Sequence, residues 1–244
     1  MQTRRFHCDA LSTGPVPDGA VPEREARHLH KVLRASDGTR VLLMDGEGSI
    51  GEAVVGPGRS LVVEKIVRFP RPVVRIHLVV APPSSKSALD HMLRQCSEVG
   101  VWSVDLTRSE RSVAKPSGKG AFERMRLHLI EGCKQSGNPW FPRLGREPLE
   151  FSAAVEKAVS MERAFFGATR MESADSADSA MFPEEGADVA WMVGPEGGFS
   201  PEEERRMLDA GIEPLSIGPW TLRVETAAVV GAHVLSRGSR PARG

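Results

Sequence analysis

The sequence predicts an α/β protein in two parts: a small N-terminal β-barrel, then a larger domain with a mainly parallel sheet. Three observations carry this expectation. Residues 1–70 are short apolar runs separated by Gly and Asp turns. The stretch "RFPRPVV" then sets two prolines among arginines, a composition that breaks both helix and strand and reads as a linker. From Arg75 onward, apolar runs of strand length alternate with longer segments of helical period, the pattern of repeated β-α units. The expected division is therefore 1–70 and 71–244, and a chain of 244 residues has ample room for both cores.

Within the first part, "TRVLLMDGEGSIGEAVV" places an Asp45-Gly46 turn and a Gly48/Gly51 pair between apolar runs, and "RSLVVEKIVRF" continues as another strand. Only "PEREARHLHKVLR" departs from this. Ala26, Leu29, His30 and Leu33 share one face at helical spacing, which leaves Arg24, Arg27, Lys31 and Arg34 elsewhere on the surface. Two readings stand: a solvated cover over the barrel, or a basic face for an anionic partner.

In the second part, "RIHLVVAPP" is a strand, "KSALDHMLRQCSEVG" a helix ending at Gly100, and "VWSVDLT" a strand. "AFERMRLHLIEGCKQSG" and "SAAVEKAVSM" are helices; "RAFFGAT" and "DVAWMVG" are buried strands. Between those last two strands, residues 170–188 carry a Ser-Ala-Asp repeat too polar to pack, which reads as a surface loop free to move. The terminal "SRGSRPARG" reads as a basic tail.

Charge and cysteine content narrow the function classes. Lys+Arg and Asp+Glu balance at 32 each, yet basic residues lead 23 to 17 over residues 1–150 and trail 9 to 15 over 151–244. An anionic partner is thus expected on the front part. Cys8, Cys96 and Cys133 are odd in number and lack CxxC spacing, which argues against a disulfide framework and against a zinc site. No stretch approaches the roughly 18 apolar residues of a membrane span, and the N-terminus lacks a signal-peptide core, so the expectation is a soluble, cytoplasmic protein with no metal.

The most informative stretch is "MVGPEGGFSPEEE", at the carboxyl end of a strand, where open α/β sheets bind ligands. Ser200, Pro201 and Glu203 spell a capping box with proline in the first helical position, and Gly211 ends the helix. A Gly-Lys-Ser/Thr sequence and the GxGxxG fingerprint are both absent, and glutamates lead the helix, so phosphate is disfavoured. A plain tight turn remains open. A second strand end, "LSIGPWTLRVETAAVVGAHVL", follows closely and feeds another helix. Two such loops side by side would enclose a neutral or cationic small molecule.

"VGPEGGFSPEE" followed by "IGPWTLRVETAA" resembles the bacterial 16S rRNA uridine-N3 methyltransferases of the SPOUT superfamily. The likeness runs along most of the chain. "EARHLHKVLR" resembles the N-terminal helix of that family's PUA-like barrel, and "SEVGV", "SERS" and "CKQSGNPWFP" resemble internal segments. The resemblance implies a trefoil-knotted C-terminal domain, a homodimer, and S-adenosylmethionine bound by Gly194, Glu196, Gly197, Gly198, Ile217, Gly218, Leu222, Arg223, Thr226 and Ala227. A sulfonium ligand would tolerate Glu196 where a phosphate would not.

Methylating uridine N3 requires removing an imide proton, stabilising the resulting anion and aligning methyl with nitrogen. Arg223 is the expected cation, and Glu225 the base or the group that orients Arg223; the alternative is an ordinary ion pair leading the last helix. Arg27, Lys31, Arg34, Lys86 and Arg111 are the expected RNA contacts, with Lys86 also readable as an ordinary exposed lysine. Glu98 reads as a structural partner of Arg111 or as a functional group. The expected macromolecular partner is 16S rRNA, within the small ribosomal subunit. The chain departs from the family pattern at Gln95, Lys134 and Asn138. Those departures leave room for a different RNA site, and for an RNA-binding protein with a degenerate pocket.

Overall fold

A computed structural model describes residues 4–114, 116, 118–168 and 186–236. The expected surface loop and the basic tail lie almost wholly outside these residues. The chain divides into two compact units, Met1–Arg71 with Cys133–Phe141, and Pro72–Gly132 with Pro142–Gly244. A single boundary near residue 70 therefore omits a segment, because "CKQSGNPWF" belongs with the N-terminal unit.

In that unit, β1 (Arg5–His7), β2 (Gly14–Pro15), β3 (Arg40–Met44), β4 (Ser49–Val55) and β5 (Leu61–Arg68) form one mixed sheet in the order β1-β3-β4-β5-β2. Only the β1–β3 pair is parallel. This five-stranded sheet is the small N-terminal β domain that the sequence predicts. Phe6, Val41, Leu43, Ala53, Val55 and Val63 supply its core.

The expected basic helix is shorter than its pattern. It begins as α1 (Glu23–Arg27) and widens into a π turn over His28–Val32. There Leu33 N–H donates to His28 O at 3.0 Å, one residue farther back than in an α-helix. Leu29 sinks fully into the core. The chain leaves through Arg34 at a left-handed φ of 50°, which brings Ala35 N–H within 3.3 Å of Leu29 O. A helical wheel assumes a constant 3.6-residue turn, so it could not register this.

The segment Cys133–Phe141 is fastened to this unit at several points. Lys134 Nζ lies 2.7 Å from both carboxylate oxygens of Glu25, and Arg5 Nη1 donates to the carbonyls of Lys134 and Gln135 at 3.1 Å each. Gly48 N–H donates to Pro139 O, Phe141 N–H to Gly46 O, and the Trp140 indole to Pro70 O. A Cβ at Gly46 would lie 2.3 Å from the Phe141 ring, and one at Gly48 2.3 Å from the Trp140 ring. These glycines, which the sequence marks only as turn residues, are also where two aromatic rings lie against the backbone.

In the second unit, β6 (Arg75–Val80), α2 (Lys86–Glu98), β7 (Ser103–Arg108), α3 (Lys119–Ser136), β8 (Arg143–Leu144) and β9 (Leu149–Glu150) come first. Then follow α4 (Phe151–Val159), β10 (Arg163–Gly167), β11 (Asp188–Val193), α5 (Pro201–Asp209), β12 (Glu213–Leu215) and α6 (Val224–Ser236). The sheet is parallel throughout, in the order β12-β10-β11-β6-β7-β8, with β9 pairing β7. Alternate residues serve opposite faces. Leu78, Val80, Val189 and Trp191 pack with α2, α3 and α6, whereas Val79, Ala190, Met192 and Phe166 pack with α4 and α5. Because the strands are parallel, the loops that follow β6, β7, β10, β11 and β12 emerge at one edge.

All three cysteines are buried and form no disulfide, and burial pushes the Cys96 thiol up to about 12. No helix among the described residues is long and apolar enough to cross a membrane.

Candidate functional site

The loop after β11 doubles back tightly. A Cβ on Gly194 would meet the Phe199 backbone nitrogen at 3.1 Å, and Gly198 N–H closes a turn onto Pro195 O at 2.8 Å. Phe199 anchors the loop below, its ring 6.0 Å from Phe151 and 6.3 Å from Phe166. The capping box at α5 is complete: Ser200 N–H reaches Glu203 Oε2 at 2.9 Å, and Glu203 N–H reaches Ser200 Oγ at 3.3 Å. Glu203 does more than cap. Its buried carboxylate also accepts from Ser109 Oγ at 3.0 Å and Glu110 N–H at 2.9 Å, which ties the loop after β7 to the start of α5. The α5 N-terminus is thus satisfied by its own chain and is no anion cradle.

Arg111 completes this tie. Its guanidinium donates to Gly197 O at 2.9 Å and Phe199 O at 3.2 Å. The structure therefore gives Arg111 a role in shaping the glycine loop. Its hydrogen bonds go to these carbonyls, and Glu98 is an exposed residue at the end of α2. Glu196 Oε1 accepts from Ser84 N–H at 2.6 Å, joining the loop after β6 to the same loop. Partial burial works to raise the Glu196 carboxyl, but the hydrogen bonds to Ser84 prevail and hold it below its ordinary range. It stays ionised.

The second loop leads into α6, where Arg223 O accepts the first helical bond from Ala227 N–H at 2.8 Å. The buried Trp191 indole donates to Ala227 O at 3.1 Å, and a Cβ on Gly231 would lie 2.3 Å from that ring. α6 is thereby pressed onto the sheet. Arg223 is exposed and Glu225 half-buried.

Between the two loops lies a cleft of about 300 Å³. Of the residues expected to hold a cofactor, it is lined by Gly194, Glu196, Gly198, Ile217, Gly218, Leu222, Arg223 and Ala227. Gly197 and Thr226 stand outside it: the Gly197 carbonyl is turned to Arg111, and Thr226 is exposed. Glu225, too, is absent from the lining. Sequence reasoning missed Gly167 at the end of β10 and Ala168 after it, together with Phe199, Glu204, Leu215 and the 82 % exposed Trp220. Gly167 carries no motif; its only signal is its place at the carboxyl end of a strand. Backbone edges and aliphatic side chains suit a flat neutral ring, and Glu196 with Glu204 suits a cationic rather than a polyphosphate group.

Lys86 is exposed in the first turn of α2, behind the Ser85 cap. A cation there opposes the helix dipole, so helix stability does not account for it. In the N-terminal unit, Arg27 pairs with Glu23 at 2.6 Å, while Lys31 and Arg34 are exposed. The departures at Lys134 and Asn138 are absorbed by the fold. Lys134 is spent on Glu25, and Asn138 Oδ1 accepts from Trp140 N–H at 3.0 Å. Gln95 is half-buried on α2.

A family model described as an RNA methyltransferase domain matches residues 70–236. The chain belongs to this RNA methyltransferase family. A second model, an RNA methyltransferase PUA domain, matches residues 21–65. The ribosomal RNA small subunit methyltransferase E of a Synechocystis strain is 28% identical over 84% of this chain and 68% of its own length. The protein of the same name from Mycobacterium bovis is 28% identical over 92% of this chain and 88% of its own. Among solved structures, ribosomal RNA small subunit methyltransferase E from Neisseria gonorrhoeae, bound to S-adenosyl methionine, superposes with a TM-score of 0.82. It is 25% identical and covers 95% of each chain.

Proposed function

We propose that this RNA methyltransferase uses S-adenosylmethionine and acts on small-subunit ribosomal RNA, at N3 of a uridine in the decoding region of 16S rRNA. The supporting observation is the cleft between the loops after β11 and β12. It is lined by glycine backbone, aliphatic side chains and two carboxylates, and it lies where the family carries its paired motifs. The names of the relatives support the ribosomal substrate.

Gly194, Glu196, Gly198, Ile217, Gly218, Leu222 and Ala227 would hold the cofactor. Bound there, S-adenosylmethionine supplies a methyl group on a cationic sulfur. Arg223, exposed at the lip of the cleft, stabilises the uracil anion. Glu225, one residue inside α6, receives the N3 proton or orients Arg223. Lys86, at the same edge of the sheet, contacts RNA phosphate. We also propose a trefoil knot in the chain between β12 and α6, and a homodimer that covers Trp220. A ribosomal substrate places the work in the cytoplasm. Because Lys134 and Asn138 are committed within the fold, they give little weight to a different RNA target.

Calorimetry with S-adenosylmethionine should give saturable binding; its absence would sink the enzyme reading and favour a non-catalytic RNA-binding protein. Arg223→Ala should lower turnover about 100-fold or more while RNA affinity is kept. Mass mapping of 16S rRNA from a deletion strain should find one decoding-region uridine lacking its methyl group, and an unchanged uridine would remove that target. Light scattering after gel filtration tests the dimer.

A further inference from the structure

Glu202, Glu203 and Glu204 open α5 in succession, and a helix turns each about 100° from the last, so they face three ways. Glu202 stays at the surface, where it pairs with Arg205. Glu203 is buried in the capping box and in the tie to the loop after β7. Glu204 is half-buried and lines the cleft between the loops after β11 and β12. Its backbone N–H is used by the helix, donating to Ser200 O at 2.9 Å. Among the described residues, no hydrogen bond or ion pair uses its carboxylate.

The charged side chains that line this cleft are Glu196, Glu204 and Arg223. Arg223 by itself would repel a cationic ligand. Glu196 balances that charge, and it already turns one oxygen to Ser84 N–H at 2.6 Å. Glu204 is therefore the residue that makes the lining negative on balance.

We propose that Glu204 is a specificity-determining residue that reads the charge on sulfur, so that the cleft prefers S-adenosylmethionine to S-adenosylhomocysteine. The proposal rests on the reading that this cleft holds S-adenosylmethionine. Donor and product differ by one methyl group and one positive charge, and share the adenosine and the amino-acid end. Glycine backbone and aliphatic side chains suit the shared parts and barely distinguish the two. A carboxylate does distinguish them, because its attraction to a sulfonium acts across a half-buried cleft and vanishes with the charge. The amino-acid end is a zwitterion, whose own carboxylate opposes any attraction between Glu204 and its ammonium. The sulfonium has no such counter-charge. A cleft of this sign takes up the donor and releases the spent product, which limits product inhibition.

The test is calorimetry on the full chain with three probes: S-adenosylmethionine, S-adenosylhomocysteine and sinefungin, which carries an ammonium group in place of the methylated sulfonium. Glu204→Gln keeps the shape of the side chain and removes its charge. Affinity for the two cationic probes should fall about 5- to 10-fold, and that for S-adenosylhomocysteine less than about twofold. Glu202→Gln removes the same charge at the surface and should leave all three affinities unchanged. Glu204→Asp should retain most of the preference for the cationic probes. Added salt should erode that preference in the wild type more than in Glu204→Gln. Equal losses for all three probes would overturn the proposal, because the carboxylate would then act on a part that donor and product share. Unchanged affinities in Glu204→Gln would overturn it too, and leave the cofactor reading intact. Failure of the wild type to bind S-adenosylmethionine would overturn the cofactor reading itself, and the proposal with it.

Discussion

The glycine loop 194–200 and the segment 133–141 look alike as sequence, each a short Gly- and Pro-containing stretch beside a helix, yet they are held in opposite ways. The glycine loop carries much of its explanation within itself. Ser200 and Glu203 cap one another, Gly198 bonds to Pro195, and Gly194 makes room for Phe199. The other segment is held from far along the chain, by Arg5, Glu25, Gly46, Gly48 and Pro70. Residues near in sequence announce a function when their constraints are local. When the constraints are distant, the same kind of residue looks like an unexplained departure, as Lys134 and Asn138 do.

The contrast breaks most visibly at Lys134, whose side chain is 19% exposed against 12% for Glu25. Lys134→Glu would set two carboxylates together in a mostly buried position and strand both. We expect a loss of about 3–5 kcal/mol from urea unfolding followed by tryptophan fluorescence. The exchange Glu25→Lys with Lys134→Glu should recover most of it. If the single substitution leaves stability unchanged, Lys134 is not held by the fold, and its departure from the family pattern again becomes a statement about RNA.

Glu203 tests the local side of the contrast. One carboxylate oxygen accepts from Ser200 N–H and Ser109 Oγ, and the other from Glu110 N–H. In Glu203→Gln the amide NH₂ must face at least one of these donors, whichever way it is turned, and a buried donor loses its acceptor. That should cost about 2 kcal/mol of unfolding free energy. The substitution should also weaken S-adenosylmethionine binding severalfold, because the loops after β7 and β11 are no longer tied. A stability loss with cofactor affinity unchanged would show that Glu203 stabilises the fold without shaping the glycine loop for its ligand.

Much of the fold was legible because its signals are periodic. The strands at 75–80, 103–108, 163–167 and 188–193 and the helices that separate them follow from apolar runs and caps. The cleft was legible where it coincides with the two glycine-bearing strand ends. It was not legible at Gly167, which lies beside them only because β10 is the neighbour of β11 in the sheet. Nor was Gly231 legible, a glycine inside a helix whose meaning is the Trp191 ring 40 positions earlier. Gly231→Ala should therefore cost about 2 kcal/mol by overpacking, with α6 displaced from Trp191 and near-ultraviolet circular dichroism altered. An ordinary helix-propensity gain instead would mean the helix can shift at little cost.

The smallest expected effect sharpens the contrast at the amino ends of the strands, away from the cleft. Asp188 receives Arg75 Nε at 2.6 Å and Nη2 at 2.8 Å, and lies 2.8 Å from His77 Nε2. The Arg75 hydrogen bonds outweigh burial and hold its carboxyl at about 2, against an ordinary 3.8. A depressed carboxyl stabilises the fold above its unfolded value, and the stabilisation fades as pH falls through its folded value. The window is therefore pH 4 down to 2. With the Asp188 side chain 30% exposed, solvent screening reduces the linked stability to about 1 kcal/mol. Urea midpoints measured across that window should decline for the wild type, and Asp188→Asn should start lower at neutral pH and decline less steeply on acidification. Parallel curves for the two proteins would mean that this ion cluster, assembled from residues 113 positions apart, contributes nothing beyond the packing of the strands that carry it.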